Sequence, residues 1–272
     1  MSNAIEQATF SFDKAALDPF ADRMHQTFES AKPFSYAMVD GLFPPEVLEA
    51  VLAEFPEPEQ VPWQSFDQAT EIKLALADTT KMGPATRNVL AECNGQVFID
   101  FLERVTGITG LIPDPHYAGG GLHQIRRGGY LKVHADFNWH KRLRLDRRLN
   151  VLIYLNKDWD ESYGGSLELW NRDMSAAEQI IPPIFNRLVV FATTSTAYHG
   201  HPEPLTCPPE RARRSMALYY YTNGRPDDEV QEAHSTLFQS RPGEKKVRVP
   251  KRDALRRWVP PPILDWLHAR KR

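Results

Sequence analysis

From about residue 111 the chain is cut into short β-prone runs by glycine, proline and asparagine, with no helix between them long enough to link them in parallel. The runs are Leu122–Ile125, Tyr130–His134, Leu149–Leu155, Ser166–Trp170, Leu188–Ala192 and Ser215–Thr222. Parallel neighbours need a connection of roughly a dozen residues or more, usually helical, so this texture predicts antiparallel pairing in a sandwich or barrel. Val151-Leu152-Ile153 and Leu188-Val189-Val190-Phe191 are unbroken apolar runs, the pattern of strands buried inside such a structure. A jelly roll is the expected architecture.

The residues before 111 read differently. Pro44-Pro45 opens Glu46–Glu54, which has helical apolar spacing, and Pro56 and Pro58 close it. Over residues 84–106, Val89, Leu90, Val97, Phe98, Phe101, Leu102 and Val105 fall on one stripe of a single longer helix, punctuated by Gly107 and Gly110. The fold class is therefore α+β, a jelly-roll core with N-terminal helices packed on the sheet. Three parts are expected: a mainly helical extension over 1–110 supporting the core, the core over 111–226, and a basic extension over 227–272 with a short helix around Pro262–Arg270.

A length of 272 residues and 42% hydrophobic content suffice for a sizeable core. The two cysteines, Cys93 and Cys207, form neither a disulfide framework nor a metal-ligand spacing. With no apparent leader peptide and no apolar run of membrane-spanning length, the expectation is a soluble cytoplasmic protein. Charge is uneven: residues 1–60 hold eleven acids against three bases, and residues 241–272 hold eleven bases against three acids. The basic end can attract an acidic partner, but no nucleic-acid motif accompanies it, and a solvated surface is the simpler reading. Nothing in the sequence fixes an oligomeric state.

The chemistry concentrates in a few positions. In His134-Ala135-Asp136 the first and third residues project to one face of a strand, so imidazole and carboxylate can reach one ion. His199, just beyond the strand ending at Phe191-Ala192, supplies a third ligand. Two neutral histidines and a carboxylate form the facial set that leaves coordination places open for co-substrates. In Arg213-Arg214-Ser215-Met216-Ala217-Leu218-Tyr219, period-2 geometry puts Arg213, Ser215, Ala217 and Tyr219 on one face. A guanidinium aimed into a barrel needs an anion, and a carboxylate matches its paired donors.

In this order, His134-x-Asp136, the run Ile153–Asp160, the turn Gly164-Gly165, His199-Gly200 and Arg213-x-Ser215 resemble the 2-oxoglutarate/Fe(II)-dependent dioxygenase superfamily, particularly its prolyl-hydroxylase-like branch. The resemblance spans roughly residues 111–226 and implies a double-stranded β-helix. It implies Fe(II) on His134, Asp136 and His199, with 2-oxoglutarate and O₂ as co-substrates and succinate and CO₂ as products. Arg213 is implied as the clamp on the distal carboxylate, with Ser215 as helper and Tyr154 bonded to the same group. Four prolines between His199 and Arg213 lengthen the usual spacing, leaving Arg211 and Arg214 as competitors for the clamp. Asp136 favours hydroxylation over halogenation, because a halide would need the carboxylate's place.

Other residues carry weaker expectations. His201 competes with His199. His123 and Gln124 can line the pocket or serve the structure equally well, Asn138 and Trp139 are candidates for substrate contact, and Arg126 and Arg127 can meet an anionic substrate at the mouth, although solvated arginines are the simpler reading. Trp159 and Trp170 are expected to pack. The substrate is a prolyl or other peptidyl group, a free amino acid or another small molecule. Two competing functions are a non-redox cupin-like metal protein or isomerase, and an inactive interaction module working through the basic end.

Overall fold

The computed structural model describes residues 10–244. In chain order, helix α1 spans Lys14–Phe28, strand β1 Tyr36–Asp40, α2 Pro45–Ala53, β2 Gln64–Gln68, β3 Glu71–Leu76, α3 Pro84–Cys93 and α4 Gln96–Thr106. The strands that follow are β4 Ile112–Pro113, β5 Gly121–Arg126, β6 Tyr130–Ala135, β7 Trp139–His140, β8 Leu145–Tyr154 and β9 Leu167–Trp170. The last are β10 Ala177–Ile181, β11 Arg187–Ala192, β12 Tyr198–His201, β13 Ala212–Thr222 and β14 Leu237–Phe238. All ladders among these strands are antiparallel, and their spatial order is β1-β11-β8-β13-β5-β3-β6-β12-β9-β10. The fold is a double-stranded β-helix with helices on one face of the sheet.

Alternation along the central strands builds both layers. Leu149, Val151 and Ile153 of β8, Leu188 and Val190 of β11, and Met216, Leu218 and Tyr220 of β13 join one cluster with Leu48, Val51, Val89, Leu90, Phe98 and Leu102 from the helices. The residues between them, including Asn150, Tyr154, Arg213 and Ser215, point the other way, into the barrel. The apolar runs are thus covered on both faces: Val189 and Phe191 pack with Leu167, Leu169 and Ile181 on the barrel side.

Three details differ from the sequence reading. The stripe over 84–106 belongs to two helices, because the chain breaks at Asn94-Gly95 and restarts at Gln96. The apolar residues still face one way, since both helices bury them in the same cluster. The segment before residue 111 also contributes strands: β1 extends one edge of the sheet on β11, while β3 sits between β5 and β6. Finally, Ala177–Ile181 and Tyr198–His201 form β10 and β12, outside the β-prone runs of the sequence.

Local chemistry explains several boundaries. Asp13 caps α1 by accepting from the Ala15 amide. Pro45 starts α2 in the first turn, where a missing N–H costs nothing. The Glu54 carboxylate accepts from Ala85 and Thr86 amides at 3.2 and 2.6 Å, serving the positive end of α3. Gly107, with φ 71°, ends α4 in the left-handed conformation. The expected terminal helix at Pro262–Arg270 and most of the basic end lie outside the described residues.

Candidate metal centre

His134 lies near the end of β6, and Asp136 is the first residue beyond that strand. His199 on β12 pairs directly with His134 across the ladder. One ligand atom from each of the three lies within 4.8 Å of the others. Asp136 Oδ1 stands 3.4 Å from His134 Nε2, and Oδ2 stands 3.4 Å from His199 Nε2. Two imidazole nitrogens and a carboxylate this close together are a donor set that could hold a divalent ion.

The tautomers suit the purpose. His134 Nδ1 faces the Lys132 carbonyl at 2.9 Å, and His199 Nδ1 faces the Ala197 carbonyl at 3.0 Å. Each Nδ1 therefore carries the proton, and each Nε2 presents its lone pair to the carboxylate side. Burial, reinforced by the neighbouring His199, lowers the pKa of His134, favouring the neutral form a metal requires. Burial alone would raise the Asp136 carboxyl, but the Arg147 charge and the two histidines outweigh it and hold it well below the usual range. The donor set is ionised where it must be and neutral where it must be. It fits a divalent ion that prefers mixed N and O donors.

A β-bulge makes the pairing possible. His199 pairs with His134 but His201 pairs with Leu131, so β6 carries one extra residue opposite Gly200. A side chain at Gly200 would meet the Leu131 and Lys132 carbonyls at 2.8 and 3.0 Å. Glycine after His199 therefore lets the bulged backbone approach.

Deeper in the barrel, Arg213 is buried, donating from Nε to the Gly165 carbonyl at 2.7 Å and from Nη2 to the Tyr154 hydroxyl at 3.2 Å. No carboxylate among the described residues pairs with it. Arg211 instead reaches the Lys157 carbonyl, and Arg214 the Glu57 carboxylate at 2.7 Å. Of the three competing arginines, the described structure turns Arg213 toward Tyr154. Ser215 pairs with both Tyr154 and His123, placing all three on one face. Gly165, with φ 77°, makes room: a Cβ there would meet Leu205 at 2.6 Å and Arg213 at 3.0 Å.

Several contributors escaped the sequence reading. Arg147 is wholly buried and donates to Asp136 Oδ2 at 3.1 Å, with its guanidinium 3.4 Å from the Tyr219 ring centre and 4.4 Å from that of Phe137. Asn150 donates to the same oxygen at 2.5 Å. A cavity of about 200 Å³ opens beside the ligands, with His134, Asp136, Glu71, Lys73, Phe137 and Phe238 in its wall. Glu71 and Lys73 form an ion pair of 2.9 Å inside it. Their signal was the alternation of Glu71-Ile72-Lys73-Leu74, a strand hidden in a segment expected to be helical.

Phe238 comes from a strap formed by the residues after β13. β14 pairs with β6, and the Phe238 ring lies 5.5 Å from that of His134. Asn138, a candidate for substrate contact, holds this strap: it donates to the Glu232 carbonyl at 2.9 Å and accepts from the His234 amide at 2.8 Å. Arg127 donates to the Thr206 and Cys207 carbonyls, and the exposed Arg126 stands 3.9 Å from Glu59. His123 bonds the Gly119 carbonyl at 3.1 Å, and burial followed by the Lys73 charge pulls it down to about 3. His201 is buried, and burial, then the Arg213 and Lys73 charges, hold it well below the usual histidine range.

Residues 120–221 match the family model described as the 2OG-Fe(II) oxygenase superfamily. Among solved structures, the chain is similar to a prolyl hydroxylase from Trichoplax adhaerens in complex with a hypoxia inducible factor peptide fragment. That match has 16% identity, covers 77% of this chain and 94% of the other, and has a TM-score of 0.55. A prolyl 4-hydroxylase from Phytophthora capsici is similar at 16% identity, covering 81% of this chain and 69% of the other, with a TM-score of 0.50. These likenesses bear on the fold. Among the described residues no helix is long and apolar enough to cross a membrane.

Proposed function

We propose, for a chain that through residues 120–221 belongs to the 2OG-Fe(II) oxygenase superfamily, that His134, Asp136 and His199 hold the iron and that the reaction is hydroxylation of an unactivated C–H bond. The enzyme is an Fe(II)- and 2-oxoglutarate-dependent dioxygenase. The observation that carries the site reading is the convergence of two Nε2 lone pairs on an ionised carboxylate, with each Nδ1 already committed to a backbone carbonyl.

When bound, Fe(II) with 2-oxoglutarate and O₂ supplies the oxidising power for inserting oxygen into a C–H bond, with succinate and CO₂ as the accompanying products. The chain's own residues bind and orient. Arg213 offers a preorganised guanidinium for the distal carboxylate of 2-oxoglutarate, with Tyr154 and Ser215 beside it. Arg147 and Asn150 hold Asp136 Oδ2 and so fix the carboxylate's plane. Phe137, Phe238 and the strap exclude water from the cavity. The Glu71–Lys73 pair in the wall favours a substrate with polar or charged groups near the oxidised carbon, which suits a peptidyl prolyl group or a polar small molecule.

A buried guanidinium with no carboxylate partner among the described residues counts against the cupin-like and interaction-module readings. The test is anaerobic addition of Fe(II) and 2-oxoglutarate, watched for the visible charge-transfer band, followed by O₂ and a succinate assay. The band and succinate are expected from the wild type and neither from Asp136→Ala. Full succinate formation by Asp136→Ala would refute the ligand assignment.

A further inference from the structure

His201 has no role in the chemistry above, yet its position is unusual. It is 4% exposed, and neither ring nitrogen has a hydrogen-bond partner among the described residues. An imidazole carries at least one N–H whatever its tautomer, and leaving such a donor buried and unpaired costs roughly 1–3 kcal/mol. Native structures keep such a group when something else completes it.

The ladder shows which way the ring points. Leu131 pairs with Glu71 on one side and His201 on the other, and cross-strand partners project to one face. Leu131 and Glu71 both line the cavity beside the ligands. His201 thus belongs to the inner wall, in the row next to His134 and His199. The next strand position on the same face as His199 is therefore an uncharged, buried ring with both nitrogens unpaired among the described residues.

We propose that His201 is a co-substrate-positioning residue, donating a ring N–H to the distal carboxylate of 2-oxoglutarate alongside Arg213. The inference rests on the reading of the site given above. A cation and a neutral donor converging on one carboxylate satisfy more of its lone pairs than a guanidinium alone, whose Nε and Nη2 already serve Gly165 and Tyr154. His201 would then help select a five-carbon dicarboxylate over keto acids that lack the second carboxylate.

The test compares wild type, His201→Val and His201→Asn as full chains, titrated anaerobically in the presence of Fe(II). The charge-transfer band and calorimetry report binding without turnover. His201→Val should weaken 2-oxoglutarate binding about ten- to a hundredfold, the worth of a hydrogen bond to a charged group, while Fe(II) affinity and melting temperature hold. Binding of 2-oxobutyrate, which lacks the distal carboxylate, should change less than about twofold on the same arithmetic. His201→Asn, which keeps a donor, should recover part of the loss, and this decides the matter if 2-oxobutyrate binds wild type too weakly to read. Unchanged 2-oxoglutarate affinity in His201→Val, equal losses for both keto acids, or no recovery in His201→Asn would overturn the inference. Absence of the band in wild type would instead overturn the assignment of the site.

Discussion

Arg147→Met separates the proposed ligand set from the guanidinium that keeps Asp136 ionised. The guanidinium is wholly buried, and it stands 3.1 Å from a carboxylate whose side chain is 14% exposed. Removing one partner of a buried pair costs about 3–5 kcal/mol, because the remaining charge is left uncompensated. Two corrections push toward the lower end. Arg147 Nε and Nη1 lack partners among the described residues, so their removal relieves a cost, and the methionine stem keeps contact with Phe137 and Tyr219. The expected loss is about 3 kcal/mol. Residues 10–244 amount to 235 positions. At about 2.1 cal/mol/K per residue the unfolding entropy is about 0.5 kcal/mol/K, so the metal-free variant should melt about 6 °C lower. Saturation with Zn(II) supplies a new cation to Asp136, and the deficit should shrink by more than half. Differential scanning calorimetry with and without the ion reads both numbers. An unchanged metal-free melting temperature, or equal deficits in both states, would refute the reasoning.

Three further outcomes are expected. Asn138→Ala removes two hydrogen bonds to the strap, about 2 kcal/mol in all, so amide exchange over residues 232–238 should quicken about thirtyfold while global stability changes less; unaltered exchange would contradict the anchoring role. Burial opposes ionisation of Glu244, but hydrogen bonds from Arg241 and Lys132 prevail and lower it to about 2. A depressed carboxyl stabilises above its unfolded value, about 4.5, so the strap's exchange protection should be full above that pH and fall as pH drops toward 2; protection rising on acidification would contradict the sign. Gly165→Ala should displace Arg213 and weaken 2-oxoglutarate binding about tenfold or more with metal binding intact, as read by anaerobic titration.

Much of the site was legible because its signals are local. The apolar runs of β8 and β11, the His134–Asp136 spacing and the shared face of Arg213 and Ser215 all follow from a period of two. The rest depends on broken periods and distant contacts. Arg147 has the same parity as Leu149 and Val151, so strict alternation points it at the helices. A register shift in β8, where Tyr220 pairs with Leu149 but Tyr221 pairs with Arg147, turns it into the site. β12 is Tyr-His-Gly-His, a sequence with little strand preference that pairing on both sides holds extended. The strap reads as polar coil, because what orders it is Asn138, about ninety residues earlier in the chain.

The extra residue in β6 makes spacing as exacting as identity at this centre. Deleting Lys132 or Val133 would restore an even ladder and rotate either Leu131 or His134 to the opposite side, dispersing the cluster with all three donors still encoded. An indel at this point would therefore undo the proposed site in a way that inspection of the three positions alone would not flag. The count between Leu131 and His134, and the lack of a side chain at position 200, are the better guides to whether such a centre still assembles.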